Sequence, residues 1–269
     1  MPGRLWDCFM FFNELDMLQC RLEEAEDLPV YRHVLVEAAV DHRGHPKPLL
    51  YADNRERFAA WQDRIIHVVA TGLASVRDAP DPWVREHQQR DRGGPALAAA
   101  GARPEDLVLI SDLDELPSPR ALLPHPSYPV ALDQAQHLWA VDWQLPKTLL
   151  TSVIGRYRDI VALGQYRDTV LRARYGDAPG VRIVRDGGRH FTSLGGPDAI
   201  AAKMNAHCHL EDVDTIARNA GTYYRTGAHH LGAFCPQPQD PVNVDTTWPR
   251  YIYGRRCPPS WFRPRDGDG

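Results

Sequence analysis

The sequence predicts an α/β fold: one mostly parallel central sheet flanked by helices, ending in an irregular, proline-rich segment. Three observations predict it. Strand and helix patterns alternate from residue 8 to residue 112, which is the signature of parallel strands joined by right-handed crossovers. The apolar run Leu107, Val108, Leu109, Ile110 reads as a strand buried on both faces. Apolar residues make up 43% of the 269-residue chain and charged residues 25%, the balance of an ordinary globular protein with a sizeable core.

Each element follows from local pattern. Residues 8–12 are a short apolar strand. Residues 15–28 carry leucine and methionine at helical spacing, with Glu23, Glu24 and Glu26 on the wet side. Residues 33–40 (HVLVEAAV) form a second strand, 54–64 a short helix containing Phe58 and Trp61, and 65–70 (IIHVVA) a third strand. Residues 83–100 form a polar helix broken or ended at Gly93-Gly94-Pro95, and the fourth strand ends at Asp112. The second half is less regular. Residues 130–143 alternate apolar and polar side chains as one or two strands, 182–184 form a short strand, and 197–207 and 212–224 form helices. Residues 151–175 fit neither period. No Ser/Gly linker or repeat divides the chain, so a single domain over 1–269 is expected. Residues 1–117 form one half, 118–234 a second half, and 235–269 a wrapping or partly disordered tail.

The fourth strand carries the chemistry. It ends in Asp112-Leu113-Asp114-Glu115-Leu116-Pro117, and strand alternation would point Asp112 and Asp114 the same way. Two carboxylates at the carboxyl end of a buried strand make a hard-oxygen site for Mg²⁺ or Mn²⁺, at the sheet edge where open α/β folds bind ligands. Such a metal would hold the diphosphate of a nucleotide-sugar. The competing reading of an isolated Asp-x-Asp is a solvated acidic turn.

Composition excludes other classes. A formal charge of −4 disfavours a nucleic-acid partner. The opening Met1-Pro2-Gly3-Arg4-Leu5-Trp6-Asp7 has no apolar signal core, and no apolar run reaches the length of a membrane span, so a cytoplasmic location is expected. Cys8, Cys20, Cys208, Cys235 and Cys257 are scattered without a C-x-x-C pair, which predicts reduced thiols. His207-Cys208-His209 is a poor zinc motif because adjacent side chains on one element point apart.

Several stretches, in order, resemble one family. Residues 7–18 (DCFMFFNELDML) resemble D-x-F-x-F-F-N-E-L-D-L-L, with Arg21-Leu22 following at the family's spacing. Residues 34–38 (VLVEA) and 44–49 (GHPKPL) are similar to V-L-V-E-A/S and G-x-P-K/R-P-L. Residues 83–90 (WVREHQQR) are similar to W-x-R-E-x-x-Q-R, and 112–117 (DLDELP) to D-x-D-E-I/L-P. Residues 188–196 (GRHFTSLGG) resemble G-W-H-x-S-x-L-G-G, with Lys203 and 209–211 (HLE) following. Together these resemble glycosyltransferase family 17, which contains the β-1,4-mannosyl-glycoprotein 4-β-N-acetylglucosaminyltransferases and bacterial relatives. Two departures stand out: Arg189 replaces the usual tryptophan, and Asp91 follows Arg90 where asparagine is common. Either could reshape the donor or acceptor pocket. The animal enzymes' membrane anchor is not part of the resemblance, so their secretory location and glycoprotein acceptor are not carried over.

The resemblance implies a GT-A-like fold and inverting transfer of N-acetylglucosamine from UDP-GlcNAc to a hydroxyl of a glycan or small molecule. Asp112, Asp114 and His190 are the expected metal ligands. Glu115 and Glu211 are the candidate general bases for the acceptor hydroxyl. Asn13, Glu14, Glu37, Lys47, Arg85, Arg90 and Lys203 are the candidate donor contacts, with loop bracing the alternative for Glu37 and surface ion pairing for the arginines. Trp139 and Trp143 would stack on an acceptor sugar or pack in the core. Two other readings compete. A phosphatase of the haloacid-dehalogenase type would carry Asp-x-Asp on its first strand, which this chain does not. A non-catalytic carbohydrate-binding or scaffold protein would keep the fold but not the transfer.

Overall fold

The computed structural model describes residues 3–206, 213–229 and 237–264. The chain runs β1 (Leu5–Phe11), α1 (Leu15–Glu24), β2 (Val30–Ala38), α2 (Leu50–Asp53), β3 (Ile65–Ala70), α3 (Pro82–Asp91), α4 (Gly93–Ala99), β4 (Leu107–Asp112) and β5 (Glu115–Pro117). It continues through β6 (Val130–Leu138), β7 (Trp143–Arg156), α5 (Leu163–Leu171), β8 (Arg182–Val184), β9 (Gly188–Thr192), α6 (Pro197–Met204), α7 (Val213–Thr226), β10 (Asp240–Pro241) and α8 (Arg250–Tyr253).

All strands belong to one sheet, ordered β3-β2-β1-β4-β7-β6-β9-β5, with β8 also on β6 and β10 on β7. The first four are parallel, as the strand–helix alternation requires. β7 then pairs antiparallel with both β4 and β6, and β5 antiparallel with β9. The expected α/β architecture is therefore present, with parallel pairing in the first half and mixed pairing in the second.

Burial on both faces explains the composition of the parallel strands. Along β1, Trp6 and Cys8 pack in a layer with Val34, Val36, Leu97, Leu163 and Leu171, whereas Phe9 and Phe11 pack with Met17, Leu18, Tyr51 and Phe58. Asp81 caps α3 through a hydrogen bond from the Trp83 amide, ahead of Pro82 in the first turn.

Several local expectations are refined. The short helix expected over 54–64 is a 3₁₀ helix (Arg55–Arg64) kinked at Phe58 and preceded by α2. The polar helix is broken at the Gly-Gly-Pro stretch, as expected: α3 ends at Asp91 and α4 starts at Gly93. Residues 151–175 resolve into the end of β7 and α5, flanked by 3₁₀ turns. The proline-rich tail wraps the main core: Trp248, Tyr251, Ile252, Trp261 and Phe262 are buried with Phe9 and Leu18. The Val141 amide donates to the Trp261 carbonyl at 2.7 Å, and the Arg263 amide to Asp142 Oδ1 at 2.8 Å. Among the described residues no helix is long and apolar enough to cross a membrane.

Candidate active site

A cleft of about 400 Å³ opens at the carboxyl ends of β1 and β4 and reaches across to β9 and α6. The Asp112–Glu115 stretch is part of its lining, together with Glu14, Lys47, Arg167, Arg174, His190 and Lys203. Asp112 and Asp114 share the cleft for a different reason than strand alternation. Leu113 and Asp114 form a tight turn between β4 and β5, so the backbone reverses between the two carboxylates.

The turn is held from below by a residue that spacing alone did not single out. Arg21 on α1 donates to the carbonyls of Asp112, Leu113 and Glu115 at 3.0, 3.1 and 2.9 Å, and to Ser111 Oγ at 2.6 Å. Its remaining donors grip Asp7 at 2.5 and 2.9 Å, and His33 contacts the same carboxylate at 2.8 Å. Burial would raise the Asp7 carboxyl, but Arg21 and His33 pull it well below the usual range. The signal that could have found Arg21 was its place in the opening motif.

Asp112 is held by arginines from two helices. Arg90 on α3 donates to Oδ1 at 2.7 Å, and Arg167 on α5 reaches Oδ2 at 3.3 Å. Burial alone would raise the Asp112 carboxyl; the two guanidiniums force it far down. Asp114 is held from the other side. Lys203 Nζ donates to its Oδ2 at 2.7 Å, and His190 Nε2 lies 3.5 Å from Oδ1. Lys203 also pairs with Glu14 at 3.0 Å, bridging β1's end to α6. Here too burial is overcome, by Lys203 and then His190, and the Asp114 carboxyl is lowered. Burial would depress the His190 imidazole, yet Asp114 raises it.

Glu115 faces the protein rather than open solvent. It is 1% exposed. Its Oε1 accepts from Arg167 at 2.6 Å, while Oε2 accepts from Ser152 Oγ at 2.9 Å and from the Asp112 amide at 3.0 Å. Burial, with Asp112 adding to it, raises this carboxyl despite Arg167.

The other expected donor contacts divide. Glu14 and Lys47 line the cleft; Lys47 Nζ donates to the Phe12 and Pro48 carbonyls, both at 3.1 Å. Asn13 is exposed beside them. Glu37 and Arg85 do not line it. Glu37 is fully buried, accepting from the Tyr51 amide at 3.1 Å and contacting His67 at 3.0 Å, so it braces the chain after β2. Arg85 ties down loops by donating to the His42 and Ala79 carbonyls, both at 2.6 Å. Arg90 reaches the cleft only through Asp112 and Glu86. Glu211 lies outside the described residues, as do Cys208 and Cys235. Trp139 and Trp143 are core residues whose indoles donate to the Ala228 and Tyr224 carbonyls, both at 3.0 Å. Arg167 and Arg174, both lining the cleft, were missed because residues 151–175 showed no clear period.

Neither departure from the family pattern touches the cleft. Arg189 points to the opposite face of β9 from His190 and stacks over Trp248, 4.4 Å from the ring centre. Asp91 Oδ1 accepts from the Gly164 amide at 2.8 Å, a bond that an asparagine carbonyl would make equally well.

The three expected metal ligands, Asp112, Asp114 and His190, all line the cleft. Among the described residues no group of three His, Cys, Asp or Glu side chains is placed to hold a metal ion. His190 instead bonds Gln136 Oε1 at 2.8 Å and Thr192 Oγ1 at 2.9 Å. The Asp112–Asp114 pair does fit Mg²⁺ or Mn²⁺ of the kind bound by one or two carboxylates plus substrate phosphates. In the charge network itself the five carboxylates Glu14, Glu86, Asp112, Asp114 and Glu115 outnumber Arg90, Arg167 and Lys203 together with His190 by one, a small surplus that suits an added cation.

Among solved structures, the chain is similar to a mannosyltransferase, PcManGT, from Pyrobaculum calidifontis in complex with GDP-Man and Mn²⁺. The identity is 12% and the TM-score 0.41, over 83% of this chain and 70% of that one. It is also similar to glucosyl-3-phosphoglycerate synthase from Mycobacterium tuberculosis, in complex with Mn²⁺, UDP and phosphoglyceric acid. There the identity is 11% and the TM-score 0.37, over 93% and 91% of the two chains. S. aureus TarS is 12% identical with a TM-score of 0.41, over 82% of this chain and 43% of that one. No curated protein matches the sequence. Residues 1–215, which carry both halves of the cleft from β1 to Lys203, match the model of Glycosyltransferase family 17, and the chain belongs to that family.

Proposed function

We propose that this chain transfers a sugar from a nucleotide donor to a hydroxyl of a glycan or small-molecule acceptor, with inversion. The proposed donor is UDP-GlcNAc, with Mn²⁺ or Mg²⁺ on Asp112 and Asp114. The observation that carries the reading is the Asp112–Asp114 turn at the carboxyl end of β4, opening into a cleft with Lys203, Arg174 and Lys47. A diphosphate leaving group gains negative charge as the glycosidic bond breaks, and a divalent cation neutralises that charge when bound. The protein's own cations in the cleft add to this attraction for phosphate oxygens. Asn13 and Glu14, beside the end of β1, are the proposed contacts to the nucleoside portion.

The proton of the acceptor hydroxyl needs a base. Glu115 is proposed as a brace for the turn instead, since both its oxygens are engaged inside the protein. Glu211 is retained as the base. His190, held by Gln136 and Thr192, is proposed to orient Asp114 and to face the donor phosphates.

Thermal-shift measurements with UDP-, GDP-, TDP- and CMP-sugars, each with and without Mn²⁺, test this on wild type and Asp114→Ala. A ligand that binds the folded state alone raises the melting temperature. A Mn²⁺-dependent rise with UDP-GlcNAc that vanishes in Asp114→Ala is expected. The absence of any shift with a sugar nucleotide, in a sample that melts cooperatively, would sink the transferase reading in favour of a non-catalytic carbohydrate-binding protein.

A further inference from the structure

We infer that Arg167 is a positioning residue for the carboxylate site: from α5 it sets Asp112 directly and the turn through Glu115, so that Asp112 and Asp114 take a cation together with the donor diphosphate. The inference rests on the metal-assisted donor reading above and adds to it a residue outside the family motifs.

The argument begins with how α5 is mounted. His87 on α3 bonds Asp168 at 2.8 Å, and Asp91 accepts from the Gly164 amide at 2.8 Å. Gly164 sits so close to α3 that a Cβ there would meet the His87 ring at 2.6 Å, so a side chain would displace the ring that bonds Asp168. α5 is thereby fixed to the helix that carries Arg90. From it Arg167 reaches inward, with its side chain 12% exposed. One terminal nitrogen spans Asp112 Oδ2 at 3.3 Å and Glu115 Oε1 at 2.6 Å, and Nε donates to the Thr151 carbonyl at 3.1 Å. Arg90 takes the other Asp112 oxygen. Each oxygen of Asp112 is therefore oriented by a different helix, which fixes the carboxylate plane at the cleft wall. Glu115 passes the same restraint to the turn by accepting from the Asp112 amide.

Arg167 uses two nitrogens of one rigid plane, so its Nε bond to the Thr151 carbonyl fixes where the terminal nitrogen sits between the carboxylates; a lysine ammonium lacks that second anchor. Outer groups that orient metal ligands are typically worth about 10–100-fold in metal affinity. A direct diphosphate ligand would behave differently, because its loss would weaken donor binding whether or not metal is present.

Isothermal titration calorimetry of UDP, with and without Mn²⁺, separates the two roles in wild type, Arg167→Lys, Asp91→Ala and Asp91→Asn. Arg167→Lys is expected to cut the Mn²⁺-dependent strengthening of UDP binding by about tenfold or more, with metal-free affinity changed less than about twofold. Asp91→Ala, which loosens α5, should shift the same quantity in the same direction by less, and Asp91→Asn should match wild type. If Arg167→Lys does not melt cooperatively, the Asp91 pair decides. Equal weakening with and without Mn²⁺ would make Arg167 a phosphate ligand and overturn the inference, as would no change in either variant. Wild type that fails to bind UDP overturns the donor reading itself. Wild type that binds UDP with no Mn²⁺ effect removes both the metal and this role for Arg167.

Discussion

Asp112 and Asp114 lie on one turn, yet different parts of the molecule hold them. Asp112 is held by the frame: Arg90 and Arg167 come from α3 and α5, which pack on each other beside the parallel strands. Asp114 is held by the mixed half, through Lys203 on α6 and His190 on β9. The frame uses guanidiniums that are nearly buried, with several acceptors each. The other wall uses one ammonium on a flexible stem, 23% exposed, and an imidazole 3.5 Å away. A buried fork fixes a carboxylate in place, whereas a point charge on a long chain can yield to an incoming cation. The two aspartates of one turn are thus held by different kinds of cation.

The largest test of this contrast is Arg90→Met. It leaves Glu86 and Asp112 without their shared buried partner and should cost about 3–5 kcal/mol in denaturant unfolding. A second test titrates the frame with acid. Burial would raise the Asp106 carboxyl, at the start of β4, but hydrogen bonds from Arg4, Trp6 and the Arg103 amide lower it to about 2. The folded value lies below the unfolded one, near 3.8. Its contribution, on the order of 2 kcal/mol, is therefore complete above about pH 4 and lost as pH falls towards about 2. The stability gap between wild type and Asp106→Asn should close over that range in pH-dependent melts.

Lys203→Met comes next. Lys203 and Glu14 are partly exposed although Asp114 is buried, so the stability loss should be smaller than that of Arg90→Met. A loss as large as that of Arg90→Met would erase the distinction between the walls. The smallest effect is expected from Arg189→Trp, which restores the common family residue on the face of β9 away from the cleft. UDP affinity by calorimetry should change less than about twofold, as for independent sites. A larger change would mean that the opposite face of β9 is coupled to the cleft.

Much of the frame was legible because its causes are local. Buried parallel strands need continuous apolar runs, so residues 107–110 announced β4; residues 65–70 announced β3 by the same run although that edge strand is only partly buried. Residues 151–175 stayed unreadable because β7's end, two 3₁₀ turns and α5 follow one another too quickly for one period to dominate. The tail looked irregular because its anchors, Trp248, Tyr251 and Trp261, come from separate short segments and pack into a core built mostly by others. Their spacing need not follow a helix or a strand.

By itself the sequence determined the alternating strands and helices, the family, and the placing of two aspartates where a buried strand ends. The elements and the aspartates depend on residues within a few positions of one another, and the family on short motifs in a fixed order along the chain. Only the tertiary structure decided what holds each carboxylate. Lys203 meets Asp114 across 89 residues, and Arg167 meets Asp112 across 55. It also decided that Glu115 turns inward, that Glu37 and Arg85 brace loops, and that Arg189 faces away from the cleft. Charge pairing acts through space, and no spacing rule along the chain records which distant side chains the sheet and its helices bring together.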